Sequence, residues 1–333
     1  MRAAVLEARG EPLRTIESGD RRPGEGELLL RVEACGVCHG DVCIADGDWD
    51  WVPLPRVIGH EVVGTVEAVG AGVEGTLIGR RVGVGWLYRS CGSCELCRSG
   101  NQMLCAGRLV TGSDVDGGYA TQLLAPASRV VEIPAELSSS EAAPLLCAGV
   151  SAFNGLRRAG LTAQSRVGVV GIGGLGHLAI QFARAAGAFV VAVSRSRDKE
   201  KDALVLGADE LVAINEGDLG GQLARLGGLD VAVVTGVDAS VVSSLVGGMR
   251  PNGTLVVLGL DNEVVLSPVD LCLNQLRVVG SLTGTMDDEA EMLRFAALRG
   301  IRPIIEEFPL DQANAALGRV RRGEVRYRAV LVP

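Results

Sequence analysis

Aromatic residues are scarce: phenylalanine, tryptophan and tyrosine together make up 3% of the 333 residues, so each tryptophan is a conspicuous position. Long apolar runs are missing too. Gly, Arg or Gln interrupts the longest of them, which excludes a membrane-spanning helix. The opening MRAAVLEARGEPL lacks the basic-then-apolar order of a secretory signal. Positive charge is in deficit, with 32 Lys and Arg against 40 Asp and Glu for a net charge of −8. That balance argues against nucleic acid or an anionic membrane as the main partner. No repeat, low-complexity tract or long linker is present. The length suits two domains, and the expectation is a cytoplasmic enzyme acting on a small molecule.

Cysteine is plentiful, with nine residues in clustered spacing. Without export signals, clustering points to metal binding rather than to disulfides. The densest motif is Cys91, Cys94, Cys97 and Cys105, a C-x2-C-x2-C-x7-C lobe. Four thiolates from one short loop close a tetrahedral zinc shell and leave no position for water, so such a site is structural. The remaining candidate ligands are dispersed: Cys35, Cys38, Cys43, Cys147, Cys272 and His60. Two thiolates and an imidazole with one open position are what a catalytic zinc needs. Spacing alone does not choose among these residues, and Cys35 with Cys38 could equally form a metal-binding pair.

The chain is organised around residues 165–197, SRVGVVGIGGLGHLAIQFARAAGAFVVAVSRSR. A valine-rich strand at 165–170 shows no alternation, as expected of a strand buried on both faces of a parallel sheet. Gly171, Gly173 and Gly176 follow in G-x-G-x-x-G spacing, with Gly174 and Leu175 between them. Such a turn lets the backbone approach a pyrophosphate, and the next helix points its N-terminus at the same group. Leu175, Leu178, Phe182 and Ala186 recur at helical spacing, and Gly187 is the stop. At the end of the second strand, a carboxylate would bind a ribose 2′-hydroxyl and repel a 2′-phosphate. Here Ser194, Arg195, Ser196 and Arg197 stand instead. Hydroxyl and guanidinium groups hold phosphate by charge-assisted hydrogen bonds, so NADP(H) is expected over NAD(H).

Residues 1–131 read as short β segments punctuated by Gly and Pro, with a helix from about 139 toward Cys147. From 165 on, βα units alternate, with strands expected at 165–170, 189–193, 210–214, 229–235, 254–259 and 276–281. A helix at 287–298 and a strand at 327–332 close the chain. The expected fold is α/β: a doubly wound parallel Rossmann sheet over 150–282, and a β-rich catalytic domain from 1–149 and 283–333.

The set CGVCHGD, GHEVVG, the four-cysteine lobe, CAGVSAF, GIGGLG and GEVRYR resembles the zinc-containing medium-chain alcohol dehydrogenase family, in the family's order and over nearly the whole chain. The resemblance implies a GroES-like catalytic domain. It places the catalytic zinc ligands on Cys38, His60 and Cys147, with Glu61 as an acidic neighbour able to approach the metal. It makes Asp41 the carboxylate that orients the ligand histidine. His39 falls near the cofactor pyrophosphate, Ser151 beside the nicotinamide, and Ser194 where NAD-dependent members carry Asp. Trp49 and Trp86 correspond to substrate-pocket positions, with Trp51 adjacent. It further implies one catalytic and one structural zinc per chain, and a homodimer or homotetramer assembled through the edge strand at 276–281. His177 is read as a helix-surface residue and Cys272 as a small buried hydrophobe.

Two departures stand out. Where alcohol-oxidising members carry a Ser or Thr that starts a proton relay, this chain has Gly40; where a His often ends it, Cys43 stands. The leading expectation is hydride transfer between NADP(H) and an alcohol, aldehyde or ketone. The alternative on the same scaffold is NADPH-dependent reduction of an imine or conjugated C=C bond. A third reading, a nucleotide-binding or redox-sensing protein without catalysis, is opposed by the presence of all three inner ligands.

Overall fold

The valine-rich segment Arg166–Val170 lies in the middle of a six-stranded parallel sheet, in a computed structural model that describes residues 1–236, 239–259 and 263–333. Strand order is Glu210–Ala213, Phe189–Ser194, Arg166–Val170, Leu229–Val234, Met249–Val257 and Arg277–Gly280. This is the doubly wound order, in which the sequence direction reverses between the first and fourth strands. Val167, Val169 and Val170 are fully buried, which is why their segment shows no alternation. The strand expected at 254–259 begins earlier, at Met249. The Pro251-Asn252-Gly253 triplet reads as a turn, but a register shift opposite Leu229 and a φ of +64° at Asn252 let the strand absorb it.

The chain divides into two compact units, Met1–Val150 with Thr283–Pro333, and Ser151–Leu282. The first is β-rich. Its long strand Glu27–Val37 pairs antiparallel with Val62–Val69, Gln122–Pro126 and the returning Arg328–Val332. Leu28, Leu30, Val62, Leu123 and Leu331 are buried together between these strands, each contributing roughly 1.5–3 kcal/mol by burial. A parallel pairing with Ile305–Pro309 covers the far edge of the returning strand. In the second unit, helix Gly176–Ala185 buries Leu178 and Phe182 as its periodicity requires, while Leu175 and Ala186 are half-buried.

Two local features differ from sequence expectation. Helix Ser139–Pro144 does not run regularly to Cys147 but opens into a wide π-helical turn, Leu145–Gly149. Such turns widen the backbone and re-aim side chains at functional positions. Cys272 is exposed rather than buried, because helix Pro268–Asn274 buries none of its residues, leaving Leu273 79% exposed.

Helix Met286–Arg299 starts with a reciprocal cap between Thr285 and Asp288, and its first turn carries a buried acid. Glu289 is 4% exposed, and its carboxylate lies where a side chain on Gly85 would be, 2.0 Å from a Cβ there. Burial pushes this carboxyl up to about 8, Asp288 adding to the shift and Arg129 opposing it. The unfolded value is near 4.3. A folded pKa above the unfolded one gives stability that is complete below about pH 4 and is lost as pH rises through 8. The chain is therefore expected to lose on the order of a few kcal/mol between pH 5 and 9, and Glu289→Gln to flatten that slope in urea titrations.

Candidate functional site

Cys38 follows the long strand and caps helix His39–Asp46. Asp41, fully buried, accepts a hydrogen bond from the Cys38 N–H at 2.8 Å and lies 3.1 Å from His60 Nδ1. An ionised carboxylate only accepts, so Nδ1 carries the proton and Nε2 keeps its lone pair. His60 and Glu61 lead into strand Val62–Val69 after Gly59, whose φ of +99° is open to glycine. The π-helical turn delivers Cys147, its Sγ 3.9 Å from Cys38 Sγ. Ligand atoms of Cys38, His60, Glu61 and Cys147 all lie within 4.8 Å of one another.

The charges of this cluster call for a cation. The Cys147 S–H holds the Cys38 thiol well below its ordinary range despite burial, with His60 adding to the effect. The same contact, then burial, drives Cys147 well above its range. Burial works against a charged His60, yet Asp41 and Cys38 outweigh it and raise its proton affinity. Two sulfurs, an imidazole nitrogen and a carboxylate form the donor set zinc prefers. A metal entering here displaces protons, so its affinity falls with falling pH.

Glu61 is held by a residue from the far end of the chain. Arg328 Nη2 donates to both carboxylate oxygens, at 2.6 Å for Oε2. Burial lifts the Glu61 carboxyl to about 8, with Arg328 opposing. Gly36 makes the approach feasible, since a Cβ there would sit 1.8 Å from Glu61 Oε2. Arg328 lies in the GEVRYR motif, but nothing in the motif announces an ion pair 267 residues away.

The other expected residues are spread. His39 is exposed on the first turn of its helix. Trp49 sits over Gly40, where a Cβ would meet its Cη2 at 3.2 Å and His60 Cε1 at 3.6 Å. Trp51 stacks on Trp49 at 5.6 Å and is 65% exposed. Trp86 is half-buried, with the Arg108 guanidinium 5.8 Å from its ring centre. Cys35, Cys43 and Cys272 lie outside the donor cluster, and Ser151 is buried at the start of the second unit.

Cys91, Cys94, Cys97 and Cys105 bring their sulfurs within the same 4.8 Å limit. Helix Glu95–Arg98 turns N–H groups toward them, Cys97 N donating to Cys94 Sγ and Cys94 N to Cys91 Sγ, both at 3.4 Å. Backbone donors from Ser93 and Cys94 lower the Cys91 thiol to about 6.

In the second unit, Gly171 turns with φ +93°, and a Cβ on Gly176 would lie 1.8 Å from Gly171 O. Those two glycines are required by the turn itself. Nothing stands within 4 Å of a Cβ at Gly173, so its missing side chain leaves backbone open to a ligand, as a pyrophosphate needs. His177 is fully buried, contrary to the surface reading, because its Nδ1 turns back to Gly173 O at 3.0 Å. Lys199 donates to Ile172 O at 2.7 Å. Arg197 is committed to Glu216 and Glu200, whereas Arg195 is exposed and makes no ion pair among the described residues.

Residues 24–135 match the Alcohol dehydrogenase GroES-like domain and residues 174–297 the Zinc-binding dehydrogenase family. The chain is 41% identical over 334 residues to an alcohol dehydrogenase of Geobacillus stearothermophilus, covering 99% of each. It superposes on a cinnamyl alcohol dehydrogenase of Sorghum bicolor with a TM-score of 0.90 at 32% identity, covering 99% of this chain and 97% of that one. A Helicobacter pylori CAD complexed with NADP(H) gives 0.88 at 27% identity, with the same coverage. No helix among the described residues is long and apolar enough to cross a membrane. With its cysteine and glycine motifs carried on these two units, the chain belongs to the zinc-containing medium-chain alcohol dehydrogenase family and is a zinc-dependent alcohol oxidoreductase.

Proposed function

We propose that the protein is an NADP(H)-preferring alcohol dehydrogenase and carbonyl reductase, working in the cell toward reduction of an aldehyde or ketone. The observation that carries this reading is the convergence of Cys38, His60 and Cys147 beside Glu61. These three residues hold the catalytic zinc, with Glu61 as its alternate ligand and Asp41 fixing the ring of His60. When bound, zinc would supply Lewis-acid polarisation of the substrate oxygen and the nicotinamide cofactor would supply the hydride chemistry. Trp49 walls the site next to Gly40. Gly40 offers no hydroxyl, so the proton reaches the substrate through water.

The cofactor belongs to the second unit, its pyrophosphate over Gly171, Gly173, Gly174, Leu175 and Gly176, with Ser151 beside the nicotinamide; the family resemblance also assigns His39 to the cofactor. Ser194 and Arg195 take the 2′-phosphate. The related Helicobacter pylori enzyme with bound NADP(H) supports that choice. Nine cysteines, none of them in a disulfide, fit a reducing cytoplasm. A homodimer or homotetramer forms through the edge strand Arg277–Gly280 and helix Pro268–Asn274, where Val269, Leu273 and Val278 stand exposed.

The experiment is a steady-state screen of aldehydes, ketones, imines and enals with NADPH and NADH. Carbonyl turnover with NADPH supports the proposal. Turnover of imines or enals alone would favour the second reading, for which the crowding of Gly40 by Trp49 is the motivating observation. The four-cysteine lobe is assigned a structural zinc. Cys97→Ser is then expected to remove one zinc per chain by metal analysis and to lower Tm by roughly 10 °C.

A further inference from the structure

Tyr119 is the largest fully buried side chain outside the donor cluster. Its backbone is laced to the segment that ends in His60: Tyr119 N donates to Ile58 O at 3.0 Å, Gly118 N to Gly59 O at 2.9 Å, and Gly117 N to Val57 O at 2.6 Å. The ring packs against Gly59, where a Cβ would meet Cδ1 and Cε1 at 2.4 and 2.6 Å. At the far end of the ring, Oη is 3.2 Å from Asp41 Oδ2. The same Oδ2 accepts the Cys38 N–H, and Oδ1 faces His60 Nδ1.

We infer that Tyr119 is a positioning residue for the dispersed metal centre: its hydroxyl fixes the Asp41 carboxylate, and through it the rotation of the His60 ring. A carboxylate has no proton to give, so the phenol is the donor. With the Cys38 N–H and the phenol both on Oδ2, Oδ1 is left to the imidazole. The plane of the carboxyl is thereby set by three donors from three segments: the end of the long strand, the 117–119 segment and the 57–60 segment. Buried partners of this kind govern metal affinity by 10–100-fold as a rule. One side chain thus ties together the backbone that carries His60 and the carboxylate that aims it. No sequence signal marks this tyrosine beyond the GGY turn it sits in.

The inference rests on the reading of Cys38, His60 and Cys147 as zinc ligands. It is tested with Tyr119→Phe, which keeps the ring on Gly59 and removes only the oxygen. Wild type and variant are loaded with zinc, counted by metal analysis, and challenged with a chromophoric chelator; the Co2+-substituted forms are compared by visible absorption, and Tm is recorded. The expected result is two zinc ions per chain in both, one of them released about 10-fold faster from the variant, with shifted Co2+ bands. Release at the wild-type rate with unchanged bands would overturn the inference. A wild-type chain that holds a single zinc overturns both it and the reading beneath it. Should Tyr119→Phe not fold, 3-fluorotyrosine at position 119 donates more strongly in the same shape. Slower release is then expected, and an unchanged rate counts against the role.

Discussion

Cys147→Ala is expected to leave a folded, cofactor-binding chain with at most about a thousandth of the wild-type turnover. A Lewis acid contributes several kcal/mol to charge stabilisation at the reacting oxygen, and each 1.4 kcal/mol is a factor of ten in rate. The Cys147 side chain caps no helix and belongs to no sheet ladder; only its carbonyl accepts the Val150 N–H, which alanine keeps. It sits in a π-helical turn whose other side chains, Leu145 and Leu146, are buried on their own account. Removing its sulfur leaves the Cys38 thiol without the S–H that holds its range down, so the residual site is a poorer metal ligand as well as an incomplete one. The control is Cys43→Ala. Cys43 is equally buried but outside the donor cluster, and turnover there should stay within a few-fold. Steady-state kinetics with NADPH and zinc counts on both variants decide the matter: loss in both, or in neither, removes Cys147 from the chemistry.

Some of this architecture can be read directly from residues and some cannot, for physical reasons. The parallel sheet is legible because β-branched runs buried on both faces are conspicuous, and because the glycine turn between them has local geometric demands at Gly171 and Gly176. The four-cysteine lobe is legible for the same reason: a chelate that closes within fifteen residues writes its spacing into the chain. The dispersed donors are another matter. Cys38 and Cys147 are 109 residues apart, and only the register of the long strand and the π-helical turn bring them together. Spacing leaves Cys35, Cys43 and Cys272 as equal candidates, and the family resemblance selects the set that the structure gathers. Arg328 escapes a reading of the sequence because an ion pair between the last strand and Glu61 exists only after the sheet has closed. Cys272 is misread because the apolar triplet Leu271 to Leu273 resembles a buried face, yet Cys272 and Leu273 stand exposed. His177 is misread in the opposite sense, since a polar residue on a helix can turn its ring inward to the Gly173 carbonyl, which accepts its backbone N–H as well.

Ser194→Asp with Arg195→Ala is expected to invert the coenzyme preference. Ser194 ends strand Phe189–Ser194, half-buried and paired in register with Ala213, so the side chain at 194 has a fixed origin at the strand end where the proposal puts the adenine ribose. A carboxylate placed there accepts from a 2′-hydroxyl and repels a 2′-phosphate. Arg195 is the guanidinium available to that phosphate. Arg197, two residues on, already spends its donors on Glu216 at 2.7 and 3.1 Å and on Glu200 at 2.5 Å. Hydrogen bonds to charged groups contribute about 1.5–3 kcal/mol, so Arg195→Ala alone should raise KM for NADPH roughly 10–100-fold at 1.4 kcal/mol per decade. KM for NADH should move no more than a few-fold, because the unphosphorylated ribose does not use this charge. Adding Ser194→Asp carries the ratio past unity by introducing repulsion toward one coenzyme and a hydrogen-bond acceptor for the other. Arg197→Ala is the counter-case: its ion pairs with Glu216 and Glu200 are exposed and worth little in stability, and they occupy its donors, so kcat/KM for both coenzymes should hold. If NADPH discrimination instead survives Arg195→Ala and collapses in Arg197→Ala, the phosphate is held by the wrong guanidinium and the assignment of the strand end must be reversed.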